Sequence, residues 1–150
     1  MTIAYLALGS NLGDRAANLR GAVAQLERIG VRVVAQSKIY RSDSVGSGGE
    51  GEFLNAVVRI ETGLNAPELL KMCQRVEWSA GRRAPATAGE KRVGPRALDV
   101  DILLFGDETH DSPTLQIPHP RALSRDFVLR PLLDVLQSAG AREWGEFGEG

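Results

Sequence analysis

Two aspartates in an apolar segment constrain this chain more than any other feature. Residues 98–105 (LDVDILLF) are rich in β-branched and aliphatic side chains and stop at Gly106, which predicts a β-strand. Side chains alternate between the faces of a strand, so Asp99 and Asp101 share one face and their apolar neighbours share the other. Two carboxylates beside an apolar layer are costly to desolvate unless a cation lies between them. Mg²⁺ is the expected cation, because it takes one or two carboxylates together with water and substrate phosphates.

The residues around this strand favour a site for metal-bound phosphate. A Gly-Pro turn delivers Arg96 beside the aspartates, and His119 lies in an Ile-Pro-His-Pro segment that is followed by Arg121 and Arg125. Carboxylates, arginines and a histidine are the groups that proteins use to handle polyphosphate. The simpler alternative is an edge strand with an acidic, solvated face, which is common for an isolated Asp-x-Asp pair. We favour the phosphate site because the basic residues accompany the pair.

Length and composition predict one cytoplasmic domain. The 150 residues, 43% hydrophobic and 25% charged, are ordinary for a globular domain, so we expect one domain over residues 1–150 with a frayed tail at 140–150. A net charge of −1 does not favour nucleic acid or an anionic membrane as partner, and no apolar run approaches membrane-spanning length. The start lacks the features of a signal peptide, and Cys73 has no second cysteine to pair with. We expect a monomer in a reducing cytoplasm.

The order of the predicted elements indicates an α+β fold. Strands are predicted at residues 3–8, 31–40, 53–61 and 98–105, helices between the caps Asp14 and Gly30 and between Asn65 and Gly81, and a broken helix at 121–136. Residues 9–11 are interpreted as a structural turn after the first strand, and they are also candidates to line the substrate pocket. Strand-helix-strand-strand-helix-strand fits a split β-α-β arrangement, in which an antiparallel sheet is backed by helices.

Alternation within these elements separates buried from exposed side chains. In the second strand we expect one face to hold Val33, Ala35, Ser37 and Ile39. In the third strand the core face is predicted to hold Leu54, Ala56, Val58 and Ile60. Phe53 and Asn55 are thereby left on the less buried face, where an aromatic ring and an amide can stack on and hydrogen-bond a flat heterocycle.

The second helix has its own predicted buried stripe. That stripe is predicted to consist of Leu69, Leu70, Met72, Cys73 and Val76. Gln74 and Glu77 are expected off this stripe, near the end of the helix.

Two segments are predicted to be mobile loops. Residues 42–52 contain four glycines and three serines, and residues 82–93 are basic, and both have almost no apolar side chain that could anchor them in a core. The loops bracket the aspartate strand in sequence, which suits lids over a phosphate site.

Several motifs together resemble one known family. They are ALGSNLGD at 7–14, FLNA at 53–56, GPRALDVDI at 94–102, IPHP at 117–120 and RDFV at 125–128. In this order they resemble the 6-hydroxymethyl-7,8-dihydropterin pyrophosphokinase family of folate biosynthesis, over nearly the whole chain. The resemblance implies a ferredoxin-like fold and transfer of the β,γ-pyrophosphoryl group of ATP to the hydroxymethyl group of the pterin, with release of AMP.

The resemblance also implies roles for individual residues. Asp99 and Asp101 would hold two Mg²⁺ ions and would be catalytic together with Arg82 and Arg92. The ATP site would comprise Gln74, Glu77, Arg82, Arg92, Arg96, Ile102, His119 and Arg125. The pterin site would comprise Ser42, Asp43, Val45, Phe53, Asn55, Asp99 and Phe127, with the two phenylalanines on either side of the ring. Ala84 stands where the family often has an arginine, and Arg83 is a candidate to replace it.

Two other classes of protein fit parts of the pattern. A polymerase-like nucleotidyltransferase also uses Gly-Ser and Asp-x-Asp, but those motifs normally lie close together, whereas Ser10 and Asp99 are separated by most of this chain. An RNA-binding ferredoxin-like module would need exposed aromatic residues and a basic face. Only 5% of the residues are aromatic and the net charge is slightly negative, which disfavours it.

Overall fold

An antiparallel sheet covered by helices forms the core of the described chain. The computed structural model describes residues 1–43, 52–80 and 97–137, and the statements below refer to these ranges. The strands are β1 (Thr2–Ser10), β2 (Arg32–Gln36), β3 (Tyr40–Asp43), β4 (Glu52–Thr62), β5 (Asp99–Phe105), β6 (His110–Asp111) and β7 (Gln116–Ile117). The helices are α1 (Arg15–Arg28), α2 (Ala66–Ser79) and α3 (Asp126–Gln137), with a 3₁₀ turn at Ala122–Ser124. None of the helices within these ranges is long and apolar enough to cross a lipid bilayer.

The strand order confirms the predicted α+β architecture. Strands β2, β4, β1 and β5 lie side by side in that order, all antiparallel, and β3 also pairs with β4. Strands β6 and β7 form a separate two-stranded sheet. The arrangement is consistent with the predicted ferredoxin-like sandwich. The predicted break in the last helix is confirmed as well, since the 3₁₀ turn precedes α3.

Both faces of the sheet are covered, but unequally. Helices α1 and α2 cover the larger core, in which the predicted face of β4 is buried as expected: Leu54, Ala56, Val58 and Ile60. Helix α3 covers part of the opposite face, over a smaller cluster that includes Val57, Leu103 and Leu132. Because α3 covers only part of this face, the end of the sheet near Asn55 and Asp99 is left for a cavity.

Local sequence signals account for the helix ends. Asp14 caps α1, its Oδ1 accepting the Ala17 amide at 3.1 Å, and Gly30 follows the helix with a φ of +91° that favours glycine. Asn65 and Glu68 form a capping box at the start of α2, with reciprocal hydrogen bonds of 2.9 Å. Helix α2 ends at the cap Ala80, and Gly81 lies outside the described residues.

The first two predicted strands differ from the observed ones. Strand β1 continues through Ser10, so the predicted turn at 9–11 is wrong for its first two residues. The predicted strand at 31–40 is too long, because β2 ends at Gln36 and β3 begins only at Tyr40. A β-bulge between Val33 and Ala35 turns these two side chains to opposite cores, so the prediction that they share a face is wrong.

A buried serine separates β2 from β3. Ser37 Oγ accepts the Val57 amide at 2.9 Å and donates to the Lys38 carbonyl at 2.6 Å. Its own amide donates to the Val57 carbonyl at 2.9 Å. The serine therefore keeps the chain attached to β4 while the strand is interrupted, and Ile39 returns to the larger core.

Polar contacts hold α3 against the sheet. Asp134 accepts hydrogen bonds from the Lys38 amide at 3.1 Å and the Tyr40 hydroxyl at 2.8 Å. Arg59 donates to the Val135 carbonyl at 2.8 Å. The position of α3 is therefore fixed relative to β3 and β4, the strands that carry the predicted pterin residues.

The loop predictions can be compared only at their ends. Ser42 and Asp43 belong to β3 and Glu52 begins β4, so the loop predicted at 42–52 is too long at both ends. Residues 44–51, the predicted second loop at 82–93 and the predicted frayed tail at 140–150 lie outside the described residues.

We predict that the capping box stabilises α2 measurably. Replacing Asn65 by Ala removes the acceptor of the Glu68 amide and should lower the free energy of unfolding by ~1 kcal/mol. Asn65→Asp keeps an acceptor at this position and serves as the matched control. Urea denaturation of the three proteins measures the difference, and equal midpoints for Asn65→Ala and the parent would contradict the prediction.

Candidate active site

Small residues on the central strand make a hollow in the sheet. Gly9 on β1 pairs with Asn55 on β4 and with Asp99 on β5, and Ala7 pairs with Asp101. Directly paired residues in an antiparallel sheet project from the same face. The amide and the two carboxylates therefore stand around a floor formed by Ala7 and Gly9, where no large side chain fills the space.

A first cavity of about 330 Å³ lies over this floor. Its lining brings together five of the residues predicted to bind the pterin: Ser42, Phe53, Asn55, Asp99 and Phe127. Asp101, His119 and Arg125 also line it. Helix α3 and the turn before it provide Phe127 and Arg125, and the Arg125 guanidinium lies 5.7 Å from the centre of the Phe127 ring.

The Asn55 side chain has a defined orientation. Its Nδ2 donates to Ser42 Oγ at 2.8 Å and to the Tyr40 carbonyl at 3.4 Å. Its Oδ1 lies on the other side, 3.5 Å from the point where a Cβ on Gly9 would stand. The buried amide therefore presents an acceptor at the floor of the cavity.

A second cavity of about 400 Å³ adjoins the first. Gln74, Ile102 and His119, which were predicted at the nucleotide site, line this second cavity together with Leu70 and Arg121. The two cavities share Asp101 and His119. One carboxylate and one imidazole therefore face both spaces, so molecules bound in the two cavities would meet beside them.

His119 is held by its backbone and by its ring. The His119 amide donates to the Leu103 carbonyl on β5 at 3.1 Å. The ring Nδ1 accepts the Ala122 amide at 3.1 Å. A backbone N–H can only donate, so the neutral ring carries its proton on Nε2, and this N–H can donate to an anion.

Glu77 does not lie where the sequence interpretation puts it. The side chain is 1% exposed, on the same buried face of α2 as Leu69, Cys73 and Val76, so the prediction that it lies off the buried stripe is wrong. Its Oε2 accepts the Val100 amide at 2.8 Å, and it lines neither cavity. Glu77 lies four residues after the buried Cys73, and this spacing indicated that Glu77 would be buried too. It was predicted to be exposed because glutamate is a charged residue type. Leu70 and Met72, predicted in the stripe, are only half-buried.

Other predicted site residues cannot be compared with the structure. Val45, Arg82, Arg92 and Arg96 lie outside the described residues, and the side chain of Asp43 is likewise not described. Gly9 lines the first cavity, as the sequence interpretation of the turn at 9–11 allowed, whereas Ala7 was missed as part of the site. The signal for Ala7 was the presence of two small residues at alternate positions of a strand that pairs with both functional strands.

The carboxylates suit a cation that is shared with a substrate. Asp99 and Asp101 are both half-buried and line the same cavity. Within residues 1–43, 52–80 and 97–137, no group of three or more His, Cys, Asp or Glu side chains could hold a metal ion. Two carboxylates fit Mg²⁺ when phosphate and water complete its six oxygen ligands, which is the usual arrangement in enzymes that act on nucleotides.

The arrangement defines a class of enzyme. Two adjoining cavities that share a carboxylate and an imidazole can hold two small molecules side by side, which is the arrangement required of a transferase that acts on two small substrates. Comparison with known protein families gives the particular family. The family described as 7,8-dihydro-6-hydroxymethylpterin-pyrophosphokinase matches residues 5–137, and the chain belongs to this family.

Similar proteins from several organisms support this assignment. A 2-amino-4-hydroxy-6-hydroxymethyldihydropteridine pyrophosphokinase of Bacillus subtilis is 47% identical over 136 residues, 90% of this chain and 78% of the relative. One of the same name from Methylorubrum extorquens is 43% identical over 136 residues, 90% of this chain and 83% of the relative. A mitochondrial folate synthesis bifunctional protein of Arabidopsis thaliana is 42% identical over 134 residues, 89% of this chain and 23% of the relative.

The predicted family, enzyme class and reaction are therefore confirmed. The chain is a diphosphokinase that transfers pyrophosphate to hydroxymethyldihydropterin, a step of folate biosynthesis, with ATP as co-substrate.

We predict that Cys73 plays no chemical part in this reaction. Burial in the core raises the pKa of the Cys73 thiol well above its ordinary value, and the nearby negative charges of Glu77 and Asp101 raise it further. The reactive thiolate is therefore suppressed in the folded protein at about pH 8. A chromogenic disulfide reagent should modify the native protein far more slowly than the urea-unfolded protein, and equal rates would contradict the prediction.

Proposed function

We propose that the first cavity binds 6-hydroxymethyl-7,8-dihydropterin, that the second binds ATP with Mg²⁺, and that the pterin hydroxyl attacks the β-phosphorus of ATP where the cavities join. The observation that carries this proposal is the sharing of Asp101 and His119 by both cavities. Attack at the β-phosphorus breaks its bond to the oxygen of the α-phosphate, so the pterin gains a diphosphate and AMP leaves.

The pterin site is supported by the lining of the first cavity. We assign Phe53 and Phe127 to the two faces of the ring, because aromatic side chains stack on flat heterocycles. Asn55 Oδ1 would accept a ring N–H, since its Nδ2 already donates to Ser42 and the Tyr40 carbonyl. Asp43 and Val45 are proposed at the edge of the ring from the family resemblance alone.

The metal site is supported by the donor types and by their common face. We assign two Mg²⁺ ions to Asp99 and Asp101, shared with the phosphates of ATP. When bound, the ions would neutralise phosphate charge and align the attacking and leaving oxygens. Asp101 would hold the ions at the junction of the cavities, and Asp99 would hold them from the first cavity, on the side where the pterin hydroxyl is proposed.

The nucleotide site is supported by the lining of the second cavity. We assign Gln74 and Ile102 to contacts with the nucleoside, and His119 to the triphosphate, to which its Nε2–H can donate. Arg125 would contribute positive charge from the first cavity. A role for Glu77 in contact with ATP is not retained, because that side chain is buried away from both cavities.

The remaining arginines complete the proposal. We assign Arg82, Arg92 and Arg96 to the phosphates of ATP from the family resemblance alone. We further propose that the enzyme acts as a monomer in the cytoplasm, where ATP and Mg²⁺ are abundant.

Product analysis tests the reaction. The protein is incubated with ATP, Mg²⁺ and the hydroxymethyl pterin, and nucleotides are separated by chromatography. We expect AMP and pterin diphosphate in equal amounts, and no AMP when the pterin is omitted. Formation of ADP would indicate single phosphoryl transfer. Formation of AMP and pyrophosphate without pterin would indicate that water attacks ATP, as in a nucleotidyltransferase that uses water as its acceptor; either result would overturn the proposal.

We predict that each aspartate is essential to turnover but not to the fold. Asp101→Asn and Asp99→Asn keep the size of the side chain and remove a charged metal ligand, which is worth several kcal/mol in the transition state. We expect turnover to fall by at least ~100-fold at an unchanged melting temperature. Asp107→Asn, at an exposed aspartate in the turn after β5, is the matched control. Turnover within a few-fold of the parent for Asp101→Asn would contradict the metal assignment.

We predict that Gly9 determines the room available to the pterin. A Cβ at this position would lie 3.5 Å from Asn55 Oδ1 and 3.7 Å from Phe53 Cδ1, which are ordinary contact distances, so Gly9→Ala should fold normally. The added methyl group would occupy the floor of the cavity. We expect pterin affinity to fall about tenfold and the affinity for an ATP analogue to stay unchanged, both measured by calorimetry.

The control for this change is Gly21→Ala, at a helical glycine where a Cβ would meet nothing within 4 Å. Unchanged pterin affinity in Gly9→Ala would show that the ring does not lie against β1.

A further inference from the structure

A buried acid on α2 is bonded to the backbone between the two aspartates. Glu77 is 1% exposed, and its Oε2 accepts the amide hydrogen of Val100 at 2.8 Å. Val100 lies between Asp99 and Asp101 on β5. The bond therefore joins the helix that carries Gln74 to the point of the strand from which both carboxylates project.

The position of β5 explains why this amide needs an acceptor. Within the part of the chain that the structure describes, β5 is the outermost strand of its sheet and has only β1 as a strand neighbour in it. Outer-strand amides that point away from the sheet have no ladder partner. Val100 is 3% exposed, so water does not readily reach its amide. A buried amide without an acceptor costs about 1–3 kcal/mol, and Glu77 supplies the acceptor.

A second contact fixes the same edge of β5 further along. The His119 amide donates to the Leu103 carbonyl at 3.1 Å. The strand is therefore held from outside at two places, at Val100 by a side chain of α2 and at Leu103 by the backbone of the segment that carries His119. The first of these places lies directly at the aspartates.

Mg²⁺ makes the position of these carboxylates critical. The ion requires nearly ideal octahedral geometry at short distances, so small displacements of a ligand weaken binding. Functional groups have to be held within about 0.5 Å of their productive positions. A strand paired on one side can shift or twist unless its free edge is fixed, and the Val100 bond fixes it where the ligands are.

We propose that Glu77 is a positioning residue for the metal site: by accepting the Val100 amide it sets the backbone from which Asp99 and Asp101 reach Mg²⁺. The inference rests on the proposed function of the two aspartates. Glu77 lines neither cavity, so the effect proposed here is transmitted through its bond to β5. What matters in this proposal is an acceptor at the correct distance, rather than the negative charge.

Three variants at position 77 separate the effect of the hydrogen-bond acceptor from the effects of charge and of side-chain length. Glu77→Gln keeps the length and a carbonyl acceptor but removes the charge. Glu77→Met keeps the length and removes the acceptor. Glu77→Asp keeps the charge but is one methylene shorter, so that the carboxylate no longer reaches the amide. Val76→Ala is the structural control, because it perturbs the same buried face of α2 without removing the bond.

Two measurements are made on each full-length protein. The first is the hydrogen-exchange rate of the Val100 amide by NMR without ligands. The second is the affinity for Mn²⁺, used as a spectroscopic substitute for Mg²⁺, in the presence of a non-hydrolysable ATP analogue. For Glu77→Met and Glu77→Asp we expect faster exchange and about tenfold weaker Mn²⁺ binding. For Glu77→Gln and Val76→Ala we expect affinities within about threefold of the parent.

The Mn²⁺ affinities of the Glu77 variants either support the proposal or overturn it. Parent-like Mn²⁺ affinity in Glu77→Met or Glu77→Asp overturns the proposal, and so does a Glu77→Gln variant as weak as Glu77→Asp, because charge would then be the important property. If Glu77→Met does not fold, Glu77→Asp against Glu77→Gln gives the same comparison. If the proposed function of the two aspartates is itself wrong, the parent will bind no Mn²⁺ with the ATP analogue. That result is distinguishable from a failure of the Glu77 proposal, in which the parent binds Mn²⁺.

Discussion

The pairing of β1 with β4 on one side and β5 on the other is the interaction on which the site depends. It brings Asn55 and Asp99, which are 44 positions apart in the sequence, to opposite sides of Gly9. Hydrogen bonds along both edges of β1 fix this register, and a shift by one residue would turn the carboxylates into the larger core. The small side chains of β1 then leave open the space that the two flanking strands surround with polar groups.

Helices α2 and α3 each border one of the two cavities and contact the sheet in different ways. Helix α3 closes one side of the first cavity with Phe127, and its position is fixed by Asp134 and Arg59. Helix α2 borders the second cavity with Gln74 and reaches β5 through Glu77. Each helix therefore combines apolar packing on the sheet with at least one polar contact to a strand that carries site residues. This combination explains why buried polar groups occur close to the cavities.

Period-two and capping signals in the sequence predicted the parts of the structure that local chemistry determines. The common face of Asp99 and Asp101, the core face of β4 and the capping box at Asn65 follow directly from strand alternation and from the hydrogen-bonding needs of a helix end. Motif resemblance added the family, which composition and spacing alone do not give. The strand faces and the helix cap were predictable because they depend on residues only a few positions apart in the sequence.

The wrong predictions involve contacts between distant parts of the chain. The bulge near Ala35 depends on the pairing of β2 with β4, and the extension of β1 through Ser10 depends on both of its partners. Glu77 is buried because the Val100 amide, 23 positions away, lies within its reach. Hydrophobic periodicity predicts that an acidic residue is exposed, because the pattern contains no information about a distant backbone amide that the carboxylate could bind.

The strands are synthesised in a different order from the one in which they lie in the sheet. Strand β1 is made first but receives its second neighbour only when β5 emerges, so a nascent chain of fewer than about 100 residues presents β1 as an open edge. The contacts of Asp134 with Lys38 and Tyr40 span 96 and 94 positions and form later still. Long-range closure of this kind slows folding and prolongs exposure of unpaired strands. The first cavity is consequently among the last parts of the molecule to form, and a ribosome-bound fragment that ends before α3 lacks the wall that Phe127 provides.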